Sequence, residues 1–515
     1  MLETLDQAKI GSIFPVYKEL NGEINAFEYF AKLSNYGKKK DSFLIEDNKK
    51  SIGTSNPCLV LTGKKDKFEI RALNDTGRRF LGFIKKDFSF CEKSTYNKDR
   101  IFGIIAKTKS KLSEDQRIRL KGHTDIIKNV AFKFKPAILG PLEHYGGLFG
   151  IISSDFIGSI EEIPDAEDAI NDPDYVVYFV DNMFLVDHRT KKTYFIANAF
   201  LTDNNKEKTH GQCNKIIQSY EKMLDKKLPK NKKLKKKLFE TKYMPKESFV
   251  KSLKDVKRNI AEGNLLYASL SRAVEANYNS ETLDIYNQFK LNNETAFYLN
   301  DGNGISIGTA AGTSLIITGK DEKFAEINIG SSAILRNEVI DDNNIGDKYE
   351  VMLRSDEDKA VYHTMLIDAA RNYIAKISNS GTRHAGRLFF ISRKGNRISL
   401  SSTIRGTLKK DLDSFHAFAA LLGFDRGLPK TSAISLIRKI ERGKNGLCTA
   451  SMIHAAPDEN LESHSVEAFR IKKNKVYFNC VSDVCYNINE EDKALENEAE
   501  LLAKLQTIKS AGEFK

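Results

Sequence analysis

The stretch Tyr362-His-Thr-Met-Leu-Ile-Asp-Ala-Ala-Arg-Asn372 lies inside the clearest helical pattern of the chain, which runs from Lys359 to Ile377. Apolar residues recur there at helical spacing, at Val361, Met365, Ile367, Ala370 and Tyr373. This spacing is typical of an amphipathic helix whose apolar side packs against a core. The sequence therefore predicts a core helix over Lys359–Ile377.

The segments on either side of this helix predict short strands and further helices, without a regular strand–helix alternation. The predicted strands include a hairpin over Cys58–Leu73, a meander over Tyr175–Ala197, and closing strands over Ala468–Ile471, Lys475–Asn479 and Val481–Tyr486. The further helices include an exposed pair over 204–237, a helix from Ser248 to Ile260 and a last helix over Glu490–Ser510. This organisation predicts an α+β fold.

The composition excludes several classes of protein. Of the 515 residues, 41% are hydrophobic and 29% are charged, with only 10 prolines and 32 glycines. These proportions exclude a disordered chain, a collagen-like chain and a low-complexity array. No apolar run approaches about 18 residues, and the start lacks the basic and apolar regions of a secretory signal. We therefore expect no membrane-spanning helix and a cytoplasmic location.

The length corresponds to about three domains, or to one large two-layer unit. Pro229 and Pro245 bracket a predicted boundary near residue 240. The sequence thus predicts two regions, 1–240 and 245–515, of which the first ends in a lysine-rich linker.

That linker, Lys222–Lys237, contains nine lysines and a single acid, Asp225, and it carries most of the net charge of +12. We interpret it as a solvated linker or helix face. The alternative is a patch for an anionic partner. Nucleic acid is disfavoured because proteins that bind it interleave such charge with aromatic residues, and none occurs here until Phe239.

Cysteines and short motifs indicate little specific chemistry. The six cysteines, at 58, 91, 213, 448, 480 and 485, form no C-x-x-C pair, so we expect reduced and mostly buried thiols. The chain contains no G-x-G-x-x-G, P-loop, G-x-S-x-G or H-E-x-x-H motif. Generic motifs therefore predict only an α+β protein.

Five stretches, taken in order, resemble component I of anthranilate synthase, a chorismate-utilising enzyme. They are Gly146–Phe149, Phe184–Thr193, Ala261–Arg272, Tyr362–Asn372 and Gly427–Lys430. Their order and spacing cover nearly the whole chain and identify it as a divergent member of that family. The resemblance implies the family's fold, with antiparallel β-sheets flanked by helices. It also implies a relation to tryptophan biosynthesis, which the absence of tryptophan residues fits.

In this family chorismate binds beside Mg²⁺, ammonia comes from a glutaminase-type partner, and pyruvate is eliminated. The metal needs carboxylate ligands, and the dianionic substrate needs basic or backbone donors. The resemblance places the first Mg²⁺ ligand, a glutamate in the family, at Tyr362, whose phenol does not replace a carboxylate at neutral pH. The second carboxylate falls at Glu496, or at Glu498 with a small gap shift. We therefore expect Glu496 to be a residual, weak metal ligand and the chain to need no cofactor.

Other positions that handle charge or protons in the family hold different residue types here. The family's catalytic histidine falls at Ser399, and the arginine that clamps the pyruvyl carboxylate falls at Ala468. The A-G-T loop becomes Ser331-Ser332-Ala333, and a family tyrosine falls at His454. The resemblance thus implies that the original site is degenerate.

The carboxylate-binding G-A-G loop becomes Ser482-Asp483-Val484, where Asp483 would repel an anion, and Lys493 stands in place of an acid. Positions that are mostly structural are retained. They are Gly263, Ser271, His363, Met365, Asp368, Arg371, Asn372, Gly406, Pro429 and Lys430. Selective loss of this kind predicts a folded protein with an altered site.

We therefore predict a pseudoenzyme that lacks the Mg²⁺ and chorismate catalytic residues. It would retain binding of a small-molecule ligand in the old chorismate cleft, or of a protein partner. That partner would be a glutaminase-type subunit or a related synthase subunit. The candidate pocket residues are Tyr267, Ala333, Tyr362, His363, Ser399, Arg405, Lys430, His454 and Ala468.

Two alternatives stay open. The first is an active enzyme with altered, metal-independent chemistry on a chorismate-like or other substrate in a specialised biosynthetic pathway. His454 is then the best acid–base candidate, because the unperturbed pKa of histidine is about 6.5. The second alternative is a basic binding protein that uses Lys222–Lys237.

Overall fold

The computed structural model describes residues 8–106, 112–137, 146–229, 239–335, 343–394, 397–441 and 443–511. The strands of these ranges are connected in one hydrogen-bonded network with helices packed around it. Every pairing within it is antiparallel except the short contact between the first and eighth strands. The predicted α+β class with antiparallel sheets flanked by helices is confirmed.

The region before residue 240 contains twelve strands in the described ranges. They are β1 (Ser12–Asn21), β2 (Ser42–Glu46), β3 (Lys50–Thr54), β4 (Leu59–Lys64), β5 (Lys67–Ala72), β6 (Lys93–Tyr96), β7 (Arg100–Ile104), β8 (Lys135–Pro136), β9 (Gly147–Ser153), β10 (Tyr175–Val180), β11 (Asn182–Asp187) and β12 (Lys192–Phe200). The helices there are α1 (Ala26–Leu33), α2 (Asp75–Ile84), α3 (Glu114–Ile118), α4 (His123–Ala131) and α5 (Lys206–Leu224).

The described part after residue 240 contains twelve more strands. They are β13 (Thr241–Tyr243), β14 (Tyr267–Asn277), β15 (Ala296–Asn300), β16 (Ile305–Thr318), β17 (Phe324–Leu335), β18 (His384–Ala385), β19 (Phe390–Lys394), β20 (Arg397–Thr407), β21 (Gly427–Leu428), β22 (Thr449–Ala455), β23 (Leu461–Lys472) and β24 (Lys475–Val484). The helices there are α6 (Lys246–Ala261), α7 (Thr282–Leu291), α8 (Asn343–Ser355), α9 (Glu357–Ile377), α10 (Ser414–Leu421), α11 (Lys430–Glu441) and α12 (Glu490–Ser510).

Helix α9 confirms the central prediction from the sequence. It begins after Asp356, whose carboxylate accepts a hydrogen bond from the Lys359 backbone N–H at 3.0 Å and so caps the first turn. Its buried face includes Ile367, Ala370 and Tyr373, as the pattern predicted. Val361 is instead 43% exposed, because the buried face is centred on the neighbouring positions 362, 363, 366 and 370.

The local predictions are confirmed in part. Strands β4 and β5 form the predicted hairpin, and β11 pairs with β12, but β10 pairs with β4 and β9 and does not extend the meander. The closing segment forms two long strands, β23 and β24, where three short strands were predicted. Helix α12 has the predicted bounds, Glu490–Ser510.

The predicted exposed helix pair over 204–237 is described only in its first part. Helix α5 ends at Leu224, and residues 225–229 are not helical. Lys222, Lys226 and Lys227 of the lysine-rich run are exposed, whereas residues 230–238 lie outside the described residues. The role of this run therefore stays a prediction.

Strands from both sides of residue 240 pair with each other. Strand β2 pairs with β15, and β9 pairs with β22, so the main hydrophobic core contains residues from both regions. The division into 1–240 and 245–515 stays a prediction. All six cysteines are free, and five of them are buried. None of the helices in the described ranges is both long and apolar enough to cross a membrane.

Candidate functional site

A cavity of about 720 Å³, lined by both polar and apolar side chains, lies mostly among the strands and helices that follow residue 240. Its walls include β14, β16, β17, β20, β22, β23 and β24, together with helices α9 and α12 and the turn after α10. Strands β16 and β17 have irregular pairing where they border it, after Ala310 and after Ser331. Such irregularities open a sheet locally, and this volume is in the range of small-molecule sites.

Tyr362 of α9 lines this cavity, although its side chain is almost completely buried. Ser269 and Asp483 are paired across β14 and β24 beside it, and the Ser269 hydroxyl lies 2.7 Å from Asp483 Oδ1. Burial raises the pKa of the Tyr362 phenol well above its usual value, and the Asp483 carboxylate acts in the same sense. Tyr362 is therefore a neutral hydroxyl group at physiological pH and does not offer an anionic ligand.

Asp425 is a second carboxylate in the cavity wall, on the turn Phe424–Arg426. Its Oδ2 accepts a hydrogen bond from the Ser465 hydroxyl at 3.1 Å. Burial raises the pKa of Asp425, while Arg426 acts in the opposite sense and Asp483 adds to the increase. The Ser269 hydroxyl lies 3.0 Å from the Asp425 carbonyl oxygen and 2.7 Å from Asp483 Oδ1, so the two acids are neighbours.

The cations of the wall already have partners. Lys493 of α12 lies 2.8 Å from the Glu496 carboxylate one turn later. Burial opposes the charge of Lys493, but the acids around it, Glu496 first and then Asp483, raise its pKa above the usual value. Arg426 forms an ion pair with Glu441 at 3.2 Å. These two cationic side chains are therefore paired with acids and are not free to bind an anion.

These residues do not fit Mg²⁺. Within the described ranges, no group of three or more histidine, cysteine, aspartate or glutamate side chains is arranged to hold a metal ion. Tyr362 supplies a neutral phenol, and Glu496, the expected residual ligand, is paired with the Lys493 ammonium. Mg²⁺ prefers several oxygen ligands, including carboxylates, and these wall residues do not supply such a set.

His363 lies behind the cavity wall and is fully buried. Its Nδ1 is 2.5 Å from the Ser331 hydroxyl, which lines the cavity, and its Nε2 is 2.8 Å from the Ser402 hydroxyl. Burial lowers the pKa of His363 to about 4. It is therefore a neutral imidazole that orients the Ser331 hydroxyl at the cavity surface.

Several other candidates from the sequence lie at or beside the cavity. Ser399 lines it. The Tyr267 hydroxyl donates a hydrogen bond to the Phe424 carbonyl at 2.7 Å, and its ring packs against Tyr362. Ala333 belongs to β17, but its side chain is outside the described part of the structure. The structure thus brings together Tyr267, Tyr362, Ser399 and, through Ser331, His363.

Lys430 and Arg405 have structural partners elsewhere. Lys430 Nζ lies 3.2 Å from a carboxylate oxygen of Glu161 and 3.3 Å from the Ala420 carbonyl. Arg405 forms an ion pair with Glu326 on the neighbouring strand β17. Neither side chain belongs to the described cavity wall.

His454 and Ala468 also lie away from the cavity. His454 stacks on Phe149, with 4.1 Å between the ring centroids, at the end of β22 that pairs with β9. Burial lowers the pKa of His454 to about 3. His454 therefore does not titrate near neutral pH, in contrast to the pKa of about 6.5 on which its choice as an acid–base candidate rested. Ala468 is opposite Gly308 on β16 and belongs to the main hydrophobic core. The strand contacts, which local sequence does not reveal, determine both positions.

Sequence reasoning missed Asp425, Ser269 and Ser465. Asp425 stands two residues before the Gly427–Lys430 stretch that resembled the family. Its proximity to that stretch was the one available signal. Ser465 and Ser269 lie inside strands with ordinary patterns, where no local signal marks them.

Comparison with known proteins shows the family. The family profile described as chorismate binding enzyme matches residues 87–466. Anthranilate synthase component 1 of Vibrio parahaemolyticus is 24% identical over 422 residues, covering 79% of this chain and 77% of that protein. The same component of Buchnera aphidicola from Acyrthosiphon pisum is 26% identical over 492 residues, covering 90% of both chains.

Solved structures show the same fold. Anthranilate synthase component I from Streptococcus pneumoniae superposes with a TM-score of 0.67 at 18% identity, covering 90% of this chain and 92% of that chain. The menaquinone-specific isochorismate synthase of Escherichia coli superposes with a TM-score of 0.60 at 12% identity, covering 98% and 97%. The chain therefore belongs to the chorismate binding enzyme family, as a divergent homologue of anthranilate synthase component I.

Proposed function

We propose that this chain is a pseudoenzyme of the chorismate binding family, which binds a small molecule in the central cavity and does not convert chorismate with Mg²⁺. The observation that carries the proposal is the surroundings of Tyr362. A neutral, buried phenol lies where the family resemblance places a metal-binding glutamate, and its neighbour is the Asp483 carboxylate. Neither group can replace the lost ligand and still accommodate an anionic substrate.

The charge of the cavity supports this proposal. Chorismate carries two carboxylates, which require cationic or backbone donors. The wall residue Asp483 stands in the loop that the resemblance assigns to carboxylate binding, and Lys493 and Arg426 are paired with other acids. Like-charge repulsion therefore disfavours a dianion at this site.

The cavity is open and is lined by polar as well as apolar side chains, so it is not closed by a hydrophobic filling. This observation supports retained ligand binding. It also supports the second candidate function, an enzyme with altered, metal-independent chemistry, because Ser331 presents a hydroxyl that the neutral His363 orients. Product formation from any cavity ligand would distinguish that enzyme from a pure binding protein.

A protein partner is part of the proposal. The relatives are named as component 1 of anthranilate synthase, and the sequence resemblance implies a glutaminase-type partner. We propose that this chain retains a contact of that kind, with a glutaminase-type subunit or with a related synthase subunit. Light scattering of the mixed proteins after size-exclusion chromatography tests it, and two separate peaks would contradict it.

The central test is a calorimetric titration of chorismate into the purified protein, with and without Mg²⁺. The same mixture is then assayed with ammonium for anthranilate and pyruvate. We expect no heat of binding and no product. Metal-dependent binding with turnover would overturn the proposal and would identify a working synthase with an unfamiliar site.

A further inference from the structure

The positive side chains in the described cavity wall are all paired with acids. Lys493 pairs with Glu496, Arg426 with Glu441, and Lys359 with Asp356 at 3.1 Å. Two other wall acids, Glu467 and Glu500, share the ammonium group of Lys504. These charges are therefore locally compensated.

Asp425 and Asp483 differ from these acids, as does Glu294, which is hydrogen-bonded to the Asn48 amide. Asp425 is hydrogen-bonded by the Ser465 hydroxyl and Asp483 by the Ser269 hydroxyl, both of which are neutral groups. Among the described residues, no lysine, arginine or histidine forms an ion pair with either carboxylate. The Ser269 hydroxyl lies 2.7 Å from Asp483 Oδ1 and 3.0 Å from the Asp425 carbonyl oxygen, so the two residues are neighbours.

The buried side chain of Asn497, in the same wall, has a hydrogen-bond acceptor without a donor. It is 2% exposed, and its Nδ2 donates hydrogen bonds to the Cys480 carbonyl at 3.1 Å and to the Ser482 hydroxyl at 3.0 Å. Because a carbonyl can only accept, these bonds fix the orientation of the amide. Its Oδ1 then has no hydrogen-bond partner within the described part of the chain. One buried acceptor of the wall thus has no donor among the described residues.

Arg426 and Lys493 interact with these carboxylates only from beyond ion-pair distance, so a positively charged ligand in direct contact with both would stabilise them further. The rest of the wall is rich in hydroxyl groups, which suit a hydroxylated skeleton. They belong to Ser331, Ser399, Ser401, Ser451, Ser463 and Ser482. We propose that the cavity binds a monocationic amine on a compact hydroxylated skeleton, with the ammonium group placed between Asp425 and Asp483. This inference rests on the proposed function, because it takes the cavity to be a ligand site.

Three sugars of similar size test the proposal: glucosamine, which is cationic at pH 7, neutral glucose and anionic glucuronate. Each is titrated into the full-length protein in a calorimeter at low ionic strength. We expect glucosamine to bind at least about tenfold more tightly than glucose, as a charge-assisted hydrogen bond allows, and glucuronate to bind most weakly. This ranking needs no variant and therefore does not depend on a substitution that fails to fold.

Asp425→Asn and Asp483→Asn each remove one cavity charge without changing side-chain size. We expect either substitution to abolish the preference for glucosamine over glucose. Asp368→Asn is the matched control, because Asp368 is an exposed acid on α9 that pairs with Arg371. It removes the same charge outside the cavity wall and should leave the preference intact.

The outcomes separate this inference from the proposed function. Equal or tighter binding of glucuronate, or no binding of any of the three sugars, overturns the cation site and leaves the pseudoenzyme proposal standing. Mg²⁺-dependent turnover of chorismate in the same preparation overturns the proposed function. A glucosamine preference that survives in both cavity variants would also contradict the assignment to Asp425 and Asp483.

Discussion

The ring of Tyr362 meets the ring of Tyr267 edge-on, with 5.6 Å between the centroids and 87° between the planes. Tyr267 is itself fixed by its hydrogen bond to the Phe424 carbonyl. The two rings join α9 to β14 at the base of the cavity. Packing of aromatic rings therefore determines the position of Tyr362. The family resemblance places a metal-binding carboxylate side chain at the same position.

The substitution Tyr362→Phe tests the contribution of the hydroxyl. It retains the ring contact and removes the interactions with Ser269 and Asp483, so we expect a loss of about 1 kcal/mol in the free energy of unfolding. Tyr362→Glu should cost about 3 kcal/mol or more, since it buries a carboxylate beside Asp483. Urea denaturation measures both.

Tyr486→Phe is the control, because that tyrosine is 61% exposed. Its effect should stay within about 0.5 kcal/mol. A Tyr362→Glu variant that is as stable as the wild type, or that gains Mg²⁺-dependent turnover, would contradict the account of this site.

A second prediction concerns acid sensitivity. Burial lowers the pKa of His363 to about 4, whereas an unfolded histidine has a pKa of about 6.5. Between these pH values the unfolded chain binds more protons at this position than the folded chain. The contribution of His363 to stability is therefore fully present above pH 6.5 and declines as the pH falls toward 4.

His363→Gln removes this contribution. The difference in unfolding free energy between wild type and variant should shrink by up to about 1.4 kcal/mol per pH unit between pH 6.5 and 4. Urea denaturation at a series of pH values measures that difference, and the other titrating groups cancel in it. A difference that is constant with pH would show that His363 titrates normally.

The sequence was sufficient for elements whose own pattern specifies them. Helix α9 follows from its apolar spacing, helix α12 was predicted with its observed bounds, and the hairpin β4–β5 follows from its two strands and short turn. The apolar face of α9 was misplaced only at Val361, since a spacing of 3.6 residues leaves the edge of a face ambiguous.

The positions of the cavity residues depend instead on which strands, distant in sequence, pair with each other. His454 appeared suitable for acid–base chemistry because its side-chain type is suitable, but the pairing of β22 with β9 stacks it on Phe149. Asp425 and Asp483 are 58 positions apart and meet only because both pack against Ser269 of β14. Contacts over such distances carry no local signal in one sequence.

A third prediction concerns Gly427, which has a φ of +150° on the short strand β21. A Cβ atom there would lie 2.4 Å from Ala433 Cβ and 2.8 Å from the Tyr267 carbonyl oxygen. Gly427→Ala should therefore cost about 1–3 kcal/mol of unfolding free energy, because neighbouring backbone must move. It should also weaken glucosamine binding, since β21 adjoins the turn that carries Asp425.

Gly211→Ala is the matched control for that substitution. Gly211 lies inside α5, and no atom lies within 4 Å of the added Cβ. We expect this change to stabilise the protein by about 0.5–1 kcal/mol, because alanine favours a helix over glycine. Thermal and urea denaturation of both variants compare them directly. Equal effects would contradict the close approach at Gly427.

The last prediction concerns Arg470, a fully buried arginine that joins elements from both sides of residue 240. Its Nη2 lies 2.8 Å from Asp301 Oδ2, and its Nε donates to Asp172 Oδ1 at 3.0 Å. Arg470→Met should cost about 3–5 kcal/mol, because it leaves the buried Asp301 without its cation and Asp172 with Lys472 alone. The exposed pair Lys475–Glu275 provides the control, and Lys475→Ala should change stability by at most about 1 kcal/mol.

Urea denaturation followed by fluorescence of the tyrosines measures both. If regions 1–240 and 245–515 unfold together in the wild type, the Arg470 variant should still show one transition at a lower midpoint. A midpoint unchanged from the wild type would mean that Asp172 and Asp301 are stabilised without Arg470.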